Sequence, residues 1–160
     1  MRKLLIALMG VCLLCSCGKK NILDESHTFD RNIWNRFTME EFSFHVPNID
    51  NYYNIDITVA VDTLHYRYNT VPLAVNIVSP DGEKRRILTS VALKEKERWR
   101  GEMQEGYRYA QGRVRSYFSF NSKGQYRMEV GQQTSQYDLE GIHSVAVRIE
   151  KAKLDYSHLD

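Results

Sequence analysis

Cysteine is scarce in this chain and is confined to its first 17 residues. The 160 residues contain three cysteines, Cys12, Cys15 and Cys17, and none follows them. The rest of the chain therefore cannot form an internal disulfide, and its stability must come from a hydrophobic core. A chain of this length can bury such a core as a single domain, and ten tyrosines and six phenylalanines supply the bulk.

A long apolar run is also missing. The run from Leu4 to Leu14 has only about 11 residues, whereas a membrane-spanning helix needs about 20. The basic pair Arg2 and Lys3 precedes this run, and small residues follow it, which is the pattern of an export signal. An ordinary core helix is the alternative, but the residues that follow favour export.

The residues before Cys17 indicate a lipid anchor. Leu14 stands three positions before Cys17 and Ser16 one position before it, which resembles a bacterial lipoprotein signal. In that class the chain is cleaved before the cysteine, whose sulfur and amine then carry acyl chains. One acyl chain binds a membrane only marginally, at about 0.8 kcal/mol per buried methylene, so several acyl chains are needed for a lasting anchor. We expect residues 1–16 to be a signal peptide and Cys17 to be lipidated.

The chain that remains after this cleavage has no excess of either positive or negative charge. Loss of residues 1–16 takes Arg2 and Lys3 from the 22 lysines and arginines, which leaves 20 against 20 aspartates and glutamates. Of the 160 residues, 144 remain, and they are formally neutral. Nucleic-acid binding needs a clustered basic face, so this composition argues against it.

Catalytic and metal-binding motifs are missing as well. The five histidines show no metal-ligand spacing such as HExxH, and neither a GxSxG nor a GxxxxGK sequence occurs. Asp56 and Asp62 would share a strand face, but six residues span roughly 20 Å, too far for an acid–base pair. We therefore predict no catalytic residue, no metal site and no cofactor. A carboxylate pair assembled from different strands stays open.

What the chain does contain is alternation of apolar and polar residues at period two. In the segment 55–61, for example, apolar residues alternate with Asp56 and Thr58, which we expect on the solvent face. The same pattern recurs along the chain and predicts the buried residues Phe42, Phe44, Val46, Ile55, Ile57, Val59, Val61, Val71, Leu73, Val75, Ile77, Ile87, Val91, Leu93, Val114, Phe118, Phe120, Tyr126, Met128, Val130, Val145, Val147 and Ile149.

Turn sequences separate these alternating segments, at 47–48, 79–82 and 121–124. Short strands with no long helical pattern indicate an antiparallel sandwich or barrel. We predict an all-β fold, an antiparallel β-sandwich of about seven or eight strands over residues 31–151. Residues 134–141 break the alternation, and a short helical turn ending at a glycine is expected there.

The flanks of this domain are polar. Residues 17–30 have little periodicity and are predicted to be a tether, and residues 152–160 a polar tail. Lys19 and Lys20 directly follow the anchor, where they could lie against anionic headgroups or belong to a solvated linker.

Aromatic residues cluster near predicted strand ends. They are Tyr52, Tyr53, Tyr66, Tyr68, Trp99, Tyr107 and Tyr109. Such rings can cap a core, anchor a protein interface or provide a platform for a sugar, and the sequence leaves all three roles open.

Several short motifs together resemble a known family. They are Phe42-Ser43-Phe44 with Asp50, Tyr53-Asn54-Ile55, Tyr66-Arg67-Tyr68-Asn69, Pro80-Asp81-Gly82, Trp99-Arg100-Gly101, Gly124-Gln125-Tyr126, Leu139-Glu140-Gly141-Ile142, Val145 and Arg148-Ile149-Glu150. In this order after a lipoprotein signal, from about residue 29 to 151, they resemble the gliding motility lipoproteins of the GldH type.

The resemblance implies a lipid-anchored accessory protein at the outer membrane. Such a protein works with other gliding lipoproteins and the associated secretion machinery, and no enzymatic activity or cofactor is implied. Surface-displayed lipoproteins of some gliding bacteria carry acidic residues just after the cysteine. Residues 18–21 contain none, which favours the periplasmic face.

The predicted working surface contains Tyr66, Tyr68 and Trp99, because these rings lie in the motifs that carry the resemblance and beside turn residues. Partners are expected to be other envelope proteins. The alternative function is an envelope-tethered carbohydrate-binding module, in which the same rings would contact a glycan.

Overall fold

A computed structural model describes residues 21–153, so the predicted signal peptide, Cys17 and most of the polar tail lie outside the described part. A 3-10 turn spans Asp30–Asn32. The strands are β1 (Asn21–Thr28), β2 (Ile33–Asn35), β3 (Glu40–Val46), β4 (Tyr53–Val61), β5 (Thr70–Val78), β6 (Lys84–Ala92), β7 (Lys94–Glu95), β8 (Arg98–Trp99), β9 (Glu102–Gln104), β10 (Tyr107–Phe118), β11 (Gly124–Gln132), β12 (Asp138–Glu140) and β13 (Ile142–Lys151).

Two antiparallel sheets form the domain. One has five strands in the order β1-β13-β4-β10-β9, and the other has four in the order β3-β11-β5-β6. Strand β1 packs over β3, and β10 packs over β6, so the sheets cover each other face to face. Two short ribbons, β2–β12 and β7–β8, lie outside the sheets. The all-β sandwich prediction is confirmed, and the described residues contain more short strands than expected.

The core lies between the two sheets and consists of the alternating residues. Every residue of the predicted buried set is buried except Phe118, which is half-buried against the same core. The pairing of β4 with β13 places Ile57 opposite Val147 and Ile55 opposite Ile149. Since neighbouring apolar residues stack across strands on one face, the period-two pattern and the register agree.

The predicted tether is wrong from residue 21 onwards. Residues 21–28 form β1, which pairs with β13 from Asn21 opposite Glu150 to Thr28 opposite Ser144. The strand has one face on the core and is polar elsewhere, and Leu23 is its one buried residue. A register shift between Asn21 and Leu23 and the exposed residues 24–26 leave this edge strand without the alternation that marks the other strands.

The helical turn predicted within 134–141 is also wrong. Residues Asp138–Glu140 form β12, with Leu139 opposite Trp34 of β2. Gly141 follows with a positive φ of 85°, so the glycine ends a strand and not a helix. The pairing joins residues about one hundred positions apart, and no local pattern could indicate it.

Asp56 was expected in solvent but is buried. Strand β4 lies in the middle of its sheet, and the guanidinium of Arg113 on β10 covers the carboxylate of Asp56 with two hydrogen bonds. A buried carboxylate is tolerated when it is paired in this way. Thr58, on the same face, is half-buried.

The two ends of the sandwich carry different loops. The first end, called the ribbon end, contains the last residues of β4 and β11. Loop 62–69 and both ribbons lie near it. At the opposite end, called the Asn21 end, β1 begins, β13 ends, and the turns 47–52, 79–83 and 119–123 connect strands. A nine-residue strand spans about 30 Å, which separates the two ends.

A histidine connects the two sheets at the β1–β3 edge. His27 Nδ1 lies 2.8 Å from Glu40 Oε2 on β3, and its Nε2 lies 2.9 Å from Glu25 Oε1 on β1. The ring stacks on Phe42 at 4.3 Å. Burial by itself lowers the pKa of His27, but the hydrogen bonds that its ring donates to Glu25 and Glu40 outweigh burial and raise the pKa above 6.5. The protonated ring, with two N–H donors, matches two carboxylates.

We expect the free energy of unfolding to fall as the pH rises above about 6.5. The pKa of His27 is higher in the folded state than in the unfolded state, so its contribution to stability is complete at pH values below the unfolded-state pKa. That contribution is lost as the pH rises through the folded-state pKa. Urea unfolding between about pH 5 and about pH 8 measures this. His27→Gln should flatten the fall, whereas His45→Gln, an exposed ring on β3, should keep it. Identical profiles for the two variants would contradict the assignment.

Candidate partner-binding surface

The β2–β12 ribbon is fixed to the domain by its buried side. Trp34 and Leu139 face each other across the ribbon, and both are fully buried. Trp34 stacks on Phe29 with 4.8 Å between ring centroids, and its Nε1 donates to the carbonyl of Thr38 at 3.2 Å. Since side chains alternate along a strand, the residues flanking Trp34 and Leu139 are directed away from the core.

The outer side of the ribbon begins with a hydrogen bond between side chains. Asn35 Nδ2 donates to Asp138 Oδ1 at 2.7 Å, and Asn35 Oδ1 accepts the backbone N–H of Phe37 at 2.9 Å. The backbone N–H of Arg36 donates to the carbonyl of Tyr137 at 2.7 Å. These bonds fix a tight turn after β2 and hold the side chain of Phe37 outward.

Two side chains of this turn and one that directly precedes β12 form an exposed cluster, Arg36–Phe37–Tyr137. Phe37 is 74% exposed and Tyr137 is 66% exposed, with 5.8 Å between their ring centroids. The guanidinium carbon of Arg36 lies 5.8 Å from the Phe37 centroid and 5.5 Å from the Tyr137 centroid. Cation–π contact keeps the three groups together, so the cluster presents a defined apolar and cationic surface.

Loop 62–69 lies beside this cluster and is held by Asp62. The carboxylate of Asp62 accepts the backbone N–H of Leu64 at 2.9 Å and contacts His65 Nδ1 at 2.6 Å. Burial alone would raise the pKa of Asp62, but these hydrogen bonds outweigh it and lower the pKa. Tyr68 is 48% exposed, and its hydroxyl accepts Gln136 Nε2 at 3.4 Å. Loop 62–69 is therefore connected to the segment that carries Tyr137.

The three residues predicted for the working surface have different positions. Tyr66 is buried, its hydroxyl donates to the carbonyl of Thr70 at 2.8 Å, and burial raises its pKa. Its side chain is a core residue and does not reach the surface. Tyr68 is exposed at the edge of the cluster. The rings of Tyr66 and Tyr68 contact each other edge to face, with 5.6 Å between their centroids. The three residues do not form one surface, because Tyr66 is buried and Trp99 lies on another element.

Trp99 lies on the β7–β8 hairpin at the same end of the sandwich. Its ring is half-buried against the core, and Lys94 Nζ lies 4.5 Å from the ring centroid. The start of the hairpin is fixed to loop 62–69, because the backbone N–H of Leu93 donates to the carbonyl of Asn69 at 2.8 Å. Trp99 therefore adjoins the ribbon end and is separate from the Arg36–Phe37–Tyr137 cluster.

Arg36, Phe37 and Tyr137 are not among the residues predicted from the sequence. A large aromatic residue in a turn between Asn35 and Thr38, outside every alternating set, was the available signal for Phe37. Tyr137 had no comparable signal, because its position depends on the pairing of β12 with β2.

The ribbon end also carries a surface depression. An open, shallow depression next to the cluster is lined by His65, Arg67, Tyr68, Gln136 and Asp138. Across residues 21–153, no group of three or more histidine, cysteine, aspartate or glutamate side chains is arranged to hold a metal ion. In the same range, no helix has the length and apolarity required to cross a membrane.

The match to a family model covers almost the whole of this domain. The model, described as GldH lipoprotein, matches residues 21–149, from the first residue of β1 into β13. The chain belongs to the GldH lipoprotein family. No curated protein and no solved structure shows significant similarity to it.

Membership agrees with the resemblance drawn from the motifs, and it fits a gliding-associated, membrane-anchored lipoprotein. The matched region of this GldH-family chain starts at β1, ten residues before the domain start predicted from the alternation. It also contains the ribbon, loop 62–69 and the Arg36–Phe37–Tyr137 cluster. The candidate surface is therefore part of the GldH domain itself.

Proposed function

We propose that this protein is a lipid-anchored accessory protein of the gliding-motility and associated secretion machinery, and that it binds other envelope proteins at its ribbon end. The observation that carries the proposal is the exposed Arg36–Phe37–Tyr137 cluster with Tyr68 at its edge. Arginine and tyrosine are among the residues that contribute most binding energy at protein interfaces.

Preorganisation of the cluster supports this function. Asn35 fixes the turn before Phe37, and Arg36 lies over both aromatic rings. A partner would therefore find these groups already in position, and binding would lose little side-chain entropy. The ribbon end also lies opposite the start of β1, so the anchor leaves this surface free.

The proposed location is the periplasmic face of the outer membrane, with acyl chains on Cys17 as the anchor. Leu14 and Ser16 before Cys17 support the acylation, and the family description names a lipoprotein. The absence of acidic residues at positions 18–21 supports the periplasmic face.

The test compares partner capture by the lipidated, full-length mature protein and its variants from the envelope. Phe37→Ala with Tyr137→Ala should weaken binding by roughly several hundredfold, because each of the two hot-spot residues contributes about 2 kcal/mol and every 1.4 kcal/mol or so is tenfold. Its unfolding free energy should stay within about 0.5 kcal/mol per substitution, since both side chains are exposed. Tyr66 is unsuitable for this test, because its loss would open the core.

A matched control is Leu88→Ala, which removes a 68% exposed side chain from β6. It should retain every partner. Photo-crosslinkers at positions 37 and 137 should yield specific adducts that a crosslinker at position 88 does not. Full capture by the Phe37 and Tyr137 double variant, with adducts equal at all three positions, would exclude this surface.

The second candidate function, glycan binding, is favoured by one observation. The shallow depression combines the ring of Tyr68 with amide, carboxylate and guanidinium groups from Gln136, Asp138 and Arg67. Rings beside such hydrogen-bonding groups suit sugars. Glycan binding that Tyr68→Ala abolishes, without any protein partner in the envelope, would favour this alternative.

A further inference from the structure

The position of β1 limits where the membrane can be. Asn21 is the first residue of β1 and pairs with Glu150, next to Lys151 at the end of β13. Cys17 precedes Asn21 by four residues, and a fully extended chain reaches about 3.3–3.6 Å per residue, or about 14 Å. The ribbon end is about 30 Å from Asn21, so a membrane that holds Cys17 lies near the Asn21 end.

The Asn21 end exposes apolar side chains close to this point. Ile49 is 42% exposed and Tyr52 is 43% exposed, both in the turn 47–52 that leads into β4. Strands β1 and β4 are separated only by β13, so Tyr53 lies about 10 Å from Asn21. Tyr52 is thus within the area that an anchor at Cys17 brings to the bilayer.

The turn 47–52 is fixed in place. The carbonyl of Tyr52 accepts the backbone N–H of Ala152 at 2.8 Å, and Asn48 Oδ1 accepts the backbone N–H of Asp50 at 2.9 Å. The exposed Lys151 and Lys153 flank Ala152 at this end of the domain, and Lys19 and Lys20 precede Asn21 in the sequence. Asp50, Asp81, Glu83 and Glu150 at the same end offset this positive charge, so the contact depends mainly on Ile49 and Tyr52.

We propose that the Asn21 end rests on the headgroup layer of the bilayer that holds Cys17, with Ile49 and Tyr52 in contact with lipid. Tyrosine suits this position, because its ring is apolar and its hydroxyl reaches water or headgroups. Lysines beside it favour anionic lipid. The domain then stands upright, and the Arg36–Phe37–Tyr137 cluster projects about 30 Å from the membrane surface. This inference rests on the acylation of Cys17 in the proposed function.

The experiment uses the acylated mature protein in vesicles of phosphatidylethanolamine and phosphatidylglycerol. Cys12 and Cys15 leave with the signal peptide and the sulfur of Cys17 is acylated, so one introduced cysteine provides one labelling site. A fluorophore at Tyr52→Cys should be quenched several-fold more by headgroup-region spin-labelled lipid than one at Tyr137→Cys. Aqueous iodide should show the reverse order.

A label at Ser26→Cys distinguishes an upright domain from one lying on its edge, because Ser26 is exposed on β1, five residues beyond Asn21 toward the ribbon end. It should be quenched by lipid less than the label at position 52. Equal quenching by lipid at positions 26 and 52, or at 137 and 52, would overturn the proposal. A mature chain without acyl mass on Cys17 would overturn it as well.

A separate test asks whether the side chains of Ile49 and Tyr52 contact lipid or only lie close to the anchor. With a label at Lys153→Cys, the double variant Ile49→Ser with Tyr52→Ser should lose most lipid quenching while it remains bound to the vesicles. Unchanged quenching would overturn the contact. The same double variant should capture envelope partners normally, so failure of this inference and failure of the partner-binding proposal give different results.

Discussion

Trp34→Ala is expected to lower the free energy of unfolding by about 3–5 kcal/mol, the range for loss of a large buried aromatic side chain. Trp34 is fully buried, stacks on Phe29 and is hydrogen-bonded to the carbonyl of Thr38. Its loss leaves a cavity beneath β2, and the surrounding strands can fill it only partly. Urea unfolding of the mature protein, followed by circular dichroism, measures the change.

The same substitution should disturb the surface it supports. Trp34 lies on β2, two residues before Arg36, and its ring is hydrogen-bonded to Thr38 just after Phe37, so partner capture should fall together with stability. Phe37→Ala, three positions later, should leave stability within about 0.5 kcal/mol, because its side chain is exposed. A cost below about 1 kcal/mol for Trp34→Ala would show that the ribbon is not fixed by this residue.

Gly141→Ala is expected to cost about 2–5 kcal/mol of stability. Gly141 has φ +85°, where an L-residue is strained by about 1–2 kcal/mol. An added Cβ would also lie 2.7 Å from the backbone nitrogen of Tyr66, and displacing packed atoms costs a further 1–3 kcal/mol or so. The backbone cannot easily shift, because Gly141 is hydrogen-bonded to both Asn32 and Asp62.

Gly82→Ala is the matched control for this prediction. Gly82 has φ +88°, and an added Cβ would have no atom within 4 Å. It should therefore show the conformational strain alone, about 1–2 kcal/mol. Thermal and urea unfolding of both variants give the difference, which measures the contact with Tyr66. Equal costs would mean that the loop moves aside freely.

Local patterns in the sequence were sufficient for the core of both sheets. Ile55, Ile57, Val145 and Val147 are buried as predicted, because period two is a property of neighbouring residues on one strand. The all-β class followed from the same patterns. The burial of Asp56 did not, since it requires Arg113 from β10, which pairs with β4 only in the folded sheet.

The candidate surface was predictable only in part. Tyr68 was predicted from its motif and is exposed, whereas Tyr66 two positions earlier has its side chain in the core. Phe37 and Tyr137 are one hundred positions apart in the chain. They meet because Asn35 pairs with Asp138 in the ribbon.

The sequence by itself determined the strand-forming segments, the family and the expectation of an anchor at Cys17, because each is written in residues close together along the chain. The tertiary structure decided that β1 belongs to the sheet, and so which end of the domain begins four residues after Cys17. It also decided which aromatic rings face solvent. Both depend on pairing between distant strands, which backbone hydrogen bonds and burial set together and which no local pattern encodes.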